Sequence, residues 1–336
     1  MLSGILSAFA IAMVSSANAQ PVGSLLEAVK SRGIVRCGIH AGLAGFAVPD
    51  KAGVWRGLDV DLCRAVAAAA LGKSDRVQFI PLSAKDRFIA LQSGEIDLLS
   101  RVTTWTLTRN TQTALNFTGV NFFDGQGFMV KAASGTKSAK DLNGATICVV
   151  QGTSTEKTLA DYFGANGMKY EPVAFSETDA VAAAYLSGRC DALTSDRSQL
   201  AAIRSTMNDP KSHVVLPEII SKEPLGPSVR FGDNQWANIV RWSLNAMIEA
   251  EEIGLKSTDI RSQAEKNSDP AVKRFTGRSE NLGEMLGLDN EWAVRIVEQV
   301  GNYAESYERN IAPIGLERGA NRLWRDGGLL ISPPFR

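Results

Sequence analysis

Short apolar runs alternate with amphipathic stretches along the first hundred residues of the chain. The predicted order is strand 34–39, an Ala-rich helix ending at Leu71, strand 77–82, helix 85–92 and strand 96–99. Runs of four to eight apolar residues have the length of buried strands, and the intervening segments repeat apolar positions at helical spacing. Strands that alternate with helices pair in parallel, so this pattern predicts an α/β layer.

The same order of elements returns further along the chain. We predict strands at 145–150, 170–175 and 190–193 and helices at 153–163 and 178–186. The two copies share a local motif at a constant offset, Ser93-Gly94-Glu-Ile-Asp97-Leu-Leu99 and Ser187-Gly188-Arg-Cys-Asp191-Ala-Leu193. Helix-stop and strand-start chemistry accounts for part of this similarity. Two similar α/β lobes also fit the length of 336 residues, since a domain has roughly 150.

Two extended, Gly-punctuated segments connect the copies. They run from Phe122 to Val130 and from Pro224 to Arg230, and a helix is predicted to follow at 236–252. A chain that leaves one lobe, builds the second and returns has two such crossings. The lobes are then joined by a two-strand hinge, with a cleft between them.

This connectivity makes the first lobe discontinuous. We expect lobe 1 to comprise residues 20–124 and 228–336, and lobe 2 to comprise residues 125–227. Within the C-terminal extension of lobe 1, apolar residues at helical spacing predict one helix over 289–308. Residues 319–324 are also predicted to be helical. We expect this extension to pack on lobe 1; docking to a membrane partner is the alternative.

The N-terminal segment has the pattern of a secretory signal peptide. Residues 1–19 carry no charged side chain, and the apolar run ends before the small residues Ala17 and Ala19. Small residues at these two positions precede a signal-peptidase site, so we predict cleavage after Ala19 and export. The alternative is a membrane anchor, but the run is shorter than the roughly 20 apolar residues that cross a bilayer.

Export changes the interpretation of the four cysteines. An even number in an oxidising compartment favours two disulfides. Cys37 lies in a predicted strand and Cys63 in the following helix, while Cys148 and Cys190 lie in two strands of the second copy. Among the three pairings we favour Cys37–Cys63 and Cys148–Cys190, one in each lobe. Buried free thiols remain an alternative, and the absence of CxxC spacing disfavours zinc.

Composition narrows the classes of function. The chain has 36 Lys and Arg against 36 Asp and Glu, so it lacks the basic excess that binds nucleic acid. At 44% hydrophobic residues it is too apolar to be intrinsically disordered. Its two histidines, His40 and His213, leave little room for a multi-histidine metal site, and we expect no metal or cofactor.

Polar residues follow three of the predicted strands. Ligands of open α/β sheets bind at the carboxyl ends of the strands, so these residues should line the cleft. The segments are Ser100–Arg109, Gln151–Glu156 and Thr194–Arg197. An ordinary polar loop is the alternative for the first segment. Thr153 with Glu156 has the spacing of a capping box, and Asp196 alone could cap the helix predicted at 198–207.

Together these three segments suit a zwitterion. A guanidinium such as that of Arg109 can grip a carboxylate with two hydrogen bonds. The start of the helix after Gly152 offers N–H groups to the same anion. Across the cleft, Asp196 can pair with an ammonium. A carboxylate-binding site that faces an ammonium-binding site is complementary to an α-amino acid.

At these residues the sequence resembles the periplasmic amino-acid-binding proteins of ABC importers, the family 3 solute-binding proteins, and within them the general L-amino-acid-binding proteins. The similarity covers nearly the whole chain after residue 19. It is carried by Gly57-Leu-Asp-Val-Asp-Leu-Cys63, Pro81-Leu-Ser-Ala-Lys-Asp-Arg87-Phe88, Ser100-Arg101-Val-Thr-Thr-Trp-Thr106, Asp124-Gly-Gln-Gly-Phe-Met129, Val215 to Pro227 and Val300 to Asn310. Such long shared strings are more specific than a single motif.

The resemblance implies a fold and a set of site residues. The fold is a two-lobed periplasmic-binding-protein fold of type II, in which each lobe is a mostly parallel sheet flanked by helices. The implied carboxylate ligands are Arg109, Thr104, Thr153 and Ser154, and the implied ammonium ligands are Asp196, Val102 and Thr104. The variable part of the pocket would include His40, Leu43, Phe46, Arg101 and Trp105, although Trp105 could equally be a packing residue.

The implied function is capture of L-amino acids of broad specificity by a monomer that delivers them to a membrane permease. The runner-up is a periplasmic dehydratase of the cyclohexadienyl or arogenate type on the same fold. A catalyst needs a further acid or base. We assign Asp86, Arg87 and Glu156 to helix surfaces, so none is expected to supply one. A receptor sensor lobe ranks lower, since no signalling domain follows.

Overall fold

A computed structural model of the protein describes residues 24–336. The predicted signal peptide, residues 1–19 with cleavage after Ala19, lies outside the described residues. The strands are β1 (Val35–His40), β2 (Val48–Pro49), β3 (Trp55–Arg56), β4 (Val77–Leu82), β5 (Leu98–Leu99), β6 (Leu115–Phe117), β7 (Phe122–Asp124), β8 (Gln126–Lys131), β9 (Thr146–Val150), β10 (Glu171–Phe175), β11 (Ala192–Asp196), β12 (His213–Val215), β13 (Glu223–Leu225) and β14 (Ser228–Arg230).

The α-helices lie before, between and after these strands. They are α1 (Ser24–Arg32), α2 (Leu58–Leu71), α3 (Asp86–Ser93), α4 (Leu107–Thr111), α5 (Ser154–Ala165), α6 (Thr178–Leu186), α7 (Arg197–Ser205), α8 (Asn234–Glu252), α9 (Ile260–Lys266), α10 (Pro270–Phe275), α11 (Leu282–Leu286), α12 (Trp292–Val300) and α13 (Tyr303–Asn310). Most predicted elements are found within one to three residues of their expected bounds. Of the described helices, none is both long enough and apolar enough to span a bilayer.

Two five-stranded sheets of the same topology organise the chain. The first has the order β4-β1-β5-β14-β6 and builds lobe 1; the second has the order β10-β9-β11-β8-β12 and builds lobe 2. In each sheet the first three strands are parallel, and the fourth is antiparallel to both of its neighbours. The sheets are mixed because the fourth strand, β14 or β8, adjoins the hinge and runs opposite to the other strands.

The repeated motif has the same structure in both lobes. Gly94 and Gly188 end helices α3 and α6 with φ of 80° and 82°, a left-handed conformation that glycine adopts without strain. Asp97 and Asp191 each accept the backbone N–H of a residue on the neighbouring strand, at 2.7 and 2.8 Å. The two sequence copies are therefore similar because both use a glycine to end a helix and an aspartate to fix the start of the next strand.

The disulfides join the pairs favoured from the sequence. Cys37–Cys63 joins β1 to α2, and Cys148–Cys190 joins β9 to the segment that leads into β11. Both bonds are buried in the core of their own lobe. The alternatives of free thiols and a zinc site are therefore wrong.

Two antiparallel strands, β7 and β13, form the hinge between the lobes. The segment that follows β5 runs along the outer edge of β13: Thr104 bridges Leu225, and the Trp105 N–H donates to the Pro224 carbonyl at 2.8 Å. On the outer edge of β7, the Asn321 side chain accepts the Phe123 N–H at 2.6 Å and donates to the Phe123 carbonyl at 3.0 Å. The hinge is thus in direct backbone contact with a predicted ligand loop.

The C-terminal region differs from its prediction in two places. The helix predicted over 289–308 is two helices, α12 and α13, because Gly301 takes φ of 99° and Asn302 caps the second helix. Asn302 and Glu305 form a capping box with hydrogen bonds of 2.8 and 2.9 Å. The helix predicted over 319–324 is replaced by two short 3₁₀ turns. As expected, the region packs on lobe 1, where α12, α13 and Phe335 share one core with α2 and α8.

Candidate ligand-binding site

A cavity lies between the two lobes, where the carboxyl ends of their parallel strands face each other. The cavity is narrow: the centre of a water-sized sphere can move in only about 20 Å³ of it. Lobe 1 contributes His40, Ala84, Arg87, Arg101, Val102, Thr104 and Arg109, and lobe 2 contributes Val150, Thr153, Ser154, Thr155, Thr178, Asp196 and Gln199. All three polar segments predicted from the strand ends meet here.

Arg109 is held in the wall by the short helix α4. Thr106 caps this helix by accepting the Arg109 N–H at 3.2 Å, and the guanidinium donates to the Thr104 carbonyl at 2.8 Å. The guanidinium also lies over the Phe88 ring, 5.3 Å from its centroid. Burial lowers the pKa of Arg109, and the charges of Asp196 and Glu223 oppose that shift, so the group stays charged. It can present further N–H donors to an anion.

Hydroxyl groups connect the lobes next to Arg109. The Thr104 and Ser154 hydroxyls are 3.1 Å apart, and Ser154 donates to the Glu223 carboxylate at 2.9 Å. Thr153 caps helix α5 by accepting the Glu156 N–H at 3.3 Å, so the predicted capping role is confirmed. The reciprocal bond of a full capping box goes instead from the Gly152 N–H to Glu156, at 2.9 Å. The N-terminus of α5 therefore forms part of the cavity wall.

Asp196 ends β11 on the opposite wall and is 2% exposed. One carboxylate oxygen accepts from Gln199 at 2.7 Å, and the other has no hydrogen-bond partner among the described residues. The alternative in which Asp196 is only a helix cap is not realised, because Asp124 accepts the Ser198 N–H at 3.1 Å in its place. A buried carboxylate oxygen without a donor is suited to bind a cation.

The carboxylates of Asp124 and Glu223 lie close to that of Asp196; Asp196 and Glu223 are buried and Asp124 is half-buried. Burial raises the pKa of Asp196 well above its ordinary value, and the negative charges of Asp124 and Glu223 raise it further. Burial also raises the pKa of Asp124, to about 6. An ammonium group placed against Asp196 would relieve this repulsion.

The lobe 1 wall carries two further guanidinium groups. Arg101 donates from Nε to the Leu82 carbonyl at 2.8 Å, and burial lowers its pKa to about 10. Arg87 is 2% exposed, and its Nε has no hydrogen-bond partner among the described residues. The helix-surface role predicted for Arg87 is therefore wrong, because the first turn of α3 directs this residue into the cleft. Asp86 and Glu156 do lie on exposed helix starts.

His40 spans the cleft from the end of β1. Its Nδ1 accepts the Gly42 N–H at 3.0 Å, so the proton lies on Nε2, which is 3.1 Å from the Thr178 hydroxyl of lobe 2. Burial, together with the charges of Arg101 and Arg87, lowers the pKa of His40 well below its ordinary value. The imidazole is therefore a neutral donor at this end of the cavity.

Three residues assigned to the variable part of the pocket do not line the cavity. Leu43 and Phe46 are buried in the lobe 1 core, where the Phe46 ring packs edge-on against Phe122. Trp105 is 41% exposed and stacks on Phe117, with ring centroids 5.5 Å apart. The packing alternative for Trp105 matches this position, since its side chain faces away from the cleft.

Other wall residues were not identified from the sequence. Thr178 follows β10, and Ala84 and Arg87 follow β4, so the strand-end rule applied to those two strands points to them. Gln199 lies in the first turn of α7, close to Asp196 in the sequence. Within residues 24–336, no group of three or more His, Cys, Asp or Glu side chains is arranged to hold a metal ion.

Comparison with known proteins identifies the family of this chain. The model of the bacterial extracellular solute-binding proteins, family 3, matches residues 35–256. The chain belongs to this family. It is 48% identical over 341 residues to the general L-amino acid-binding periplasmic protein AapJ of Rhizobium johnstonii, covering 100% of this chain and 99% of that one. It is 49% identical over 316 residues to the glutamate/glutamine/aspartate/asparagine-binding protein BztA of Rhodobacter capsulatus, covering 93% and 94%.

A solved structure of the family has the same fold over most of the chain. It is a periplasmic binding protein from Brucella ovis with glutathione bound, 48% identical, with a TM-score of 0.91. It covers 93% of this chain and 99% of its own. The C-terminal extension is thus shared with this relative, and the two-lobed family fold predicted from the sequence is confirmed.

Proposed function

We propose that this chain is the periplasmic substrate-binding component of an ABC importer for L-amino acids. Two lobes close on the α-carboxylate and α-ammonium of the ligand and deliver it to a membrane permease. The main support is that Arg109 and Asp196, from different lobes, face one cavity and each retains unused hydrogen-bonding capacity. Contacts to groups that all amino acids share would explain a broad specificity.

The roles of the individual residues follow from their chemistry. Arg109, the hydroxyls of Thr104, Thr153 and Ser154, and the start of α5 are positioned to bind the carboxylate. Asp196 binds the ammonium, with the Val102 backbone and the Thr104 hydroxyl beside it. The Thr104 and Ser154 hydroxyls meet between the lobes, so a ligand that binds both residues makes contact with both lobes and stabilises the closed form.

The charge of the cavity favours a ligand with a second acidic group. Arg87, Arg101 and Arg109 face it, and no ion pair joins any of them to a described carboxylate. A zwitterion engages one guanidinium and Asp196, which leaves two buried cations without a counter-ion. A side-chain carboxylate of glutamate or aspartate would pair with Arg87 and Arg101. Glutamate and aspartate are two of the four ligands in the name of the Rhodobacter capsulatus relative, beside their neutral amides glutamine and asparagine.

A panel of the twenty amino acids tests the function directly. Calorimetry on ligand-stripped protein should give saturable binding for several L-amino acids and none for their D-enantiomers, because Arg109 and Asp196 fix two substituents of the α-carbon and the cavity wall restricts the direction of the third, the side chain. Dipeptides and amino-acid amides serve as controls that lack the free α-carboxylate. Absence of binding by every amino acid would contradict the proposal.

The preference for acidic ligands should depend on Arg87. Replacing it by glutamine should weaken glutamate binding by roughly 10- to 100-fold, because a buried charge-assisted hydrogen bond is lost. Glutamine binding should change by less than about threefold, because the neutral ligand makes no ion pair. The measurement is the ratio of the two dissociation constants. Lys85→Ala removes an exposed charge two residues before Arg87 and is the control. An equal effect of both changes would show only a long-range electrostatic effect.

Several further properties belong to the same proposal. We propose export by a signal peptide cleaved after Ala19, a monomeric state, and lobe boundaries at 124/125 and 227/228, which lie in or next to the hinge strands. We also propose that the protein acts by binding alone, as the names of its relatives suggest. Turnover of arogenate or prephenate by the purified protein would contradict this last point.

A further inference from the structure

Val102 has an unusual backbone at the cavity wall. It lies in the loop between Ser100 and Thr104 and takes φ of 36°, in the left-handed region. A β-branched residue rarely adopts this conformation, and it persists only where its surroundings impose it. The Val102 backbone is also where we place part of the ammonium site. What holds this residue in place therefore bears on ligand binding.

The carboxylate of Asp59 holds Val102 from behind. Asp59 is the second residue of α2 and is 2% exposed. One of its oxygens accepts the Val102 N–H at 2.9 Å, and the other accepts the Ser100 hydroxyl at 3.0 Å. The N-terminus of α2 favours a negative charge at this position. Ser100 and Val102, at the two ends of this three-residue stretch, are thus both anchored on the Asp59 side chain.

A third bond connects Asp59 to the hinge. The Asn121 side chain donates to the same oxygen as Ser100, at 3.0 Å, and the next residue along the chain begins hinge strand β7. The Asn121 carbonyl in turn accepts from the buried Tyr303 hydroxyl at 2.7 Å. Asp59 therefore sets the position of the ligand loop relative to the start of the hinge.

We infer that Asp59 is a positioning residue for ligand binding, which holds Val102 and the ligand loop in their binding geometry without touching the ligand. This inference rests on the proposed function. It predicts that loss of the Asp59 carboxylate reduces affinity beyond any loss of folding stability.

Asp61 provides a matched control on the same helix. It is 4% exposed and accepts hydrogen bonds from Ser306 and Asn310, both at 2.7 Å, and from Arg309 at 2.6 Å. These partners belong to α13, on the far side of α2 from the ligand loop. Asp59 and Asp61 are thus both buried carboxylates on one helix that hold different segments, and Asp61 differs in that it also forms ion pairs with Arg309 and Arg64.

The experiment compares D59N with D61N in the full-length mature protein. Both changes replace an acceptor by an amide and should lower the melting temperature. Titration with the tightest amino acid of the panel should show a dissociation constant about 10- to 100-fold higher for D59N and within about twofold of wild type for D61N. Equal dissociation constants for the two variants would overturn the inference, while amino-acid binding by the wild type would still support the proposed function.

A second pair of variants separates positioning from general stability. Glycine adopts the left-handed backbone without strain, so Val102→Gly should remove the need for the Asp59 anchor. In the V102G background, D59N should weaken binding by less than about threefold. A full loss in that background would overturn the inference.

The inference can be tested even if the D59N variant does not fold. If that variant does not fold, S100A removes one of the two anchors of the loop and should raise the dissociation constant by about three- to tenfold. An unchanged constant for S100A would overturn the inference.

Discussion

Replacing Arg109 by alanine should weaken amino-acid binding by about 3–5 kcal/mol, which is more than a hundredfold in the dissociation constant. The change removes the guanidinium that faces the ligand carboxylate and leaves that anion buried without its counter-ion. The side chain is 8% exposed, so water cannot replace it without opening the cleft. Isothermal titration against the tightest-binding amino acid gives the constant.

Two further variants show whether the loss is specific. Arg109→Lys keeps the charge but not the two-pronged donor geometry, so its affinity should lie between wild type and Arg109→Ala. Arg241→Ala removes a guanidinium that lies outside the ligand cavity, against the groove beside Trp105, and should leave binding unchanged. Wild-type affinity of the Arg109→Ala protein would show that the carboxylate site lies elsewhere.

Replacing Asp196 by asparagine should have a comparable effect on affinity, about 3–5 kcal/mol, because the ligand ammonium loses its counter-ion. The same carboxylate should also make binding depend on pH. Burial and the charges of Asp124 and Glu223 raise the pKa of Asp196 in the free protein, and a bound ammonium lowers it.

The direction of the pH dependence follows from proton linkage. Above the raised pKa, Asp196 is ionised before and after binding, and affinity is complete. Below it, the free protein carries a proton that binding must release, so affinity falls by up to about tenfold for each pH unit. Asp124, with a pKa raised to about 6, adds to the loss in the same direction. Titrations across the acidic range measure the slope.

Asp191 provides the control for the pH dependence. It lies directly before the strand that Asp196 ends, and hydrogen bonds from Thr146 lower its pKa. Asp191→Asn should therefore keep the wild-type profile, while Asp196→Asn should flatten it. An unchanged slope in the Asp196→Asn protein would contradict the assignment of the ammonium site.

The local sequence pattern was sufficient to predict the architecture and most of the residues that line the candidate site. The alternation of strand and helix, and its repetition, follow from the spacing of apolar residues, which depends on only a few neighbouring positions. Arg109, Thr153 and Asp196 follow strand ends, and the topology of parallel sheets brings such ends to one edge. The disulfides could be paired because each joins adjacent elements of one lobe.

Residues on helices were harder to place. Arg87 was predicted to be on the surface because the first turn of a helix usually carries solvated charges. Whether it faces water or the cleft depends on how α3 is rotated on its sheet, and the packing of Ala90 and Leu91 in the core settles this. Trp105 presents the opposite case, since contact with Phe117 turns an apolar side chain away from the ligand.

The sequence by itself determined which segments of this protein become strands, which lobes they build and which polar side chains meet at their ends. Only the tertiary structure decided what those side chains do. One oxygen of Asp196 is left without a hydrogen-bond partner among the described residues, and Asp124, from the hinge, accepts the Ser198 N–H at the start of the following helix. Val102 holds a left-handed backbone because Asp59, from another helix, fixes it. Such contacts join residues that are far apart along the chain, and no local pattern of apolar and polar positions records them.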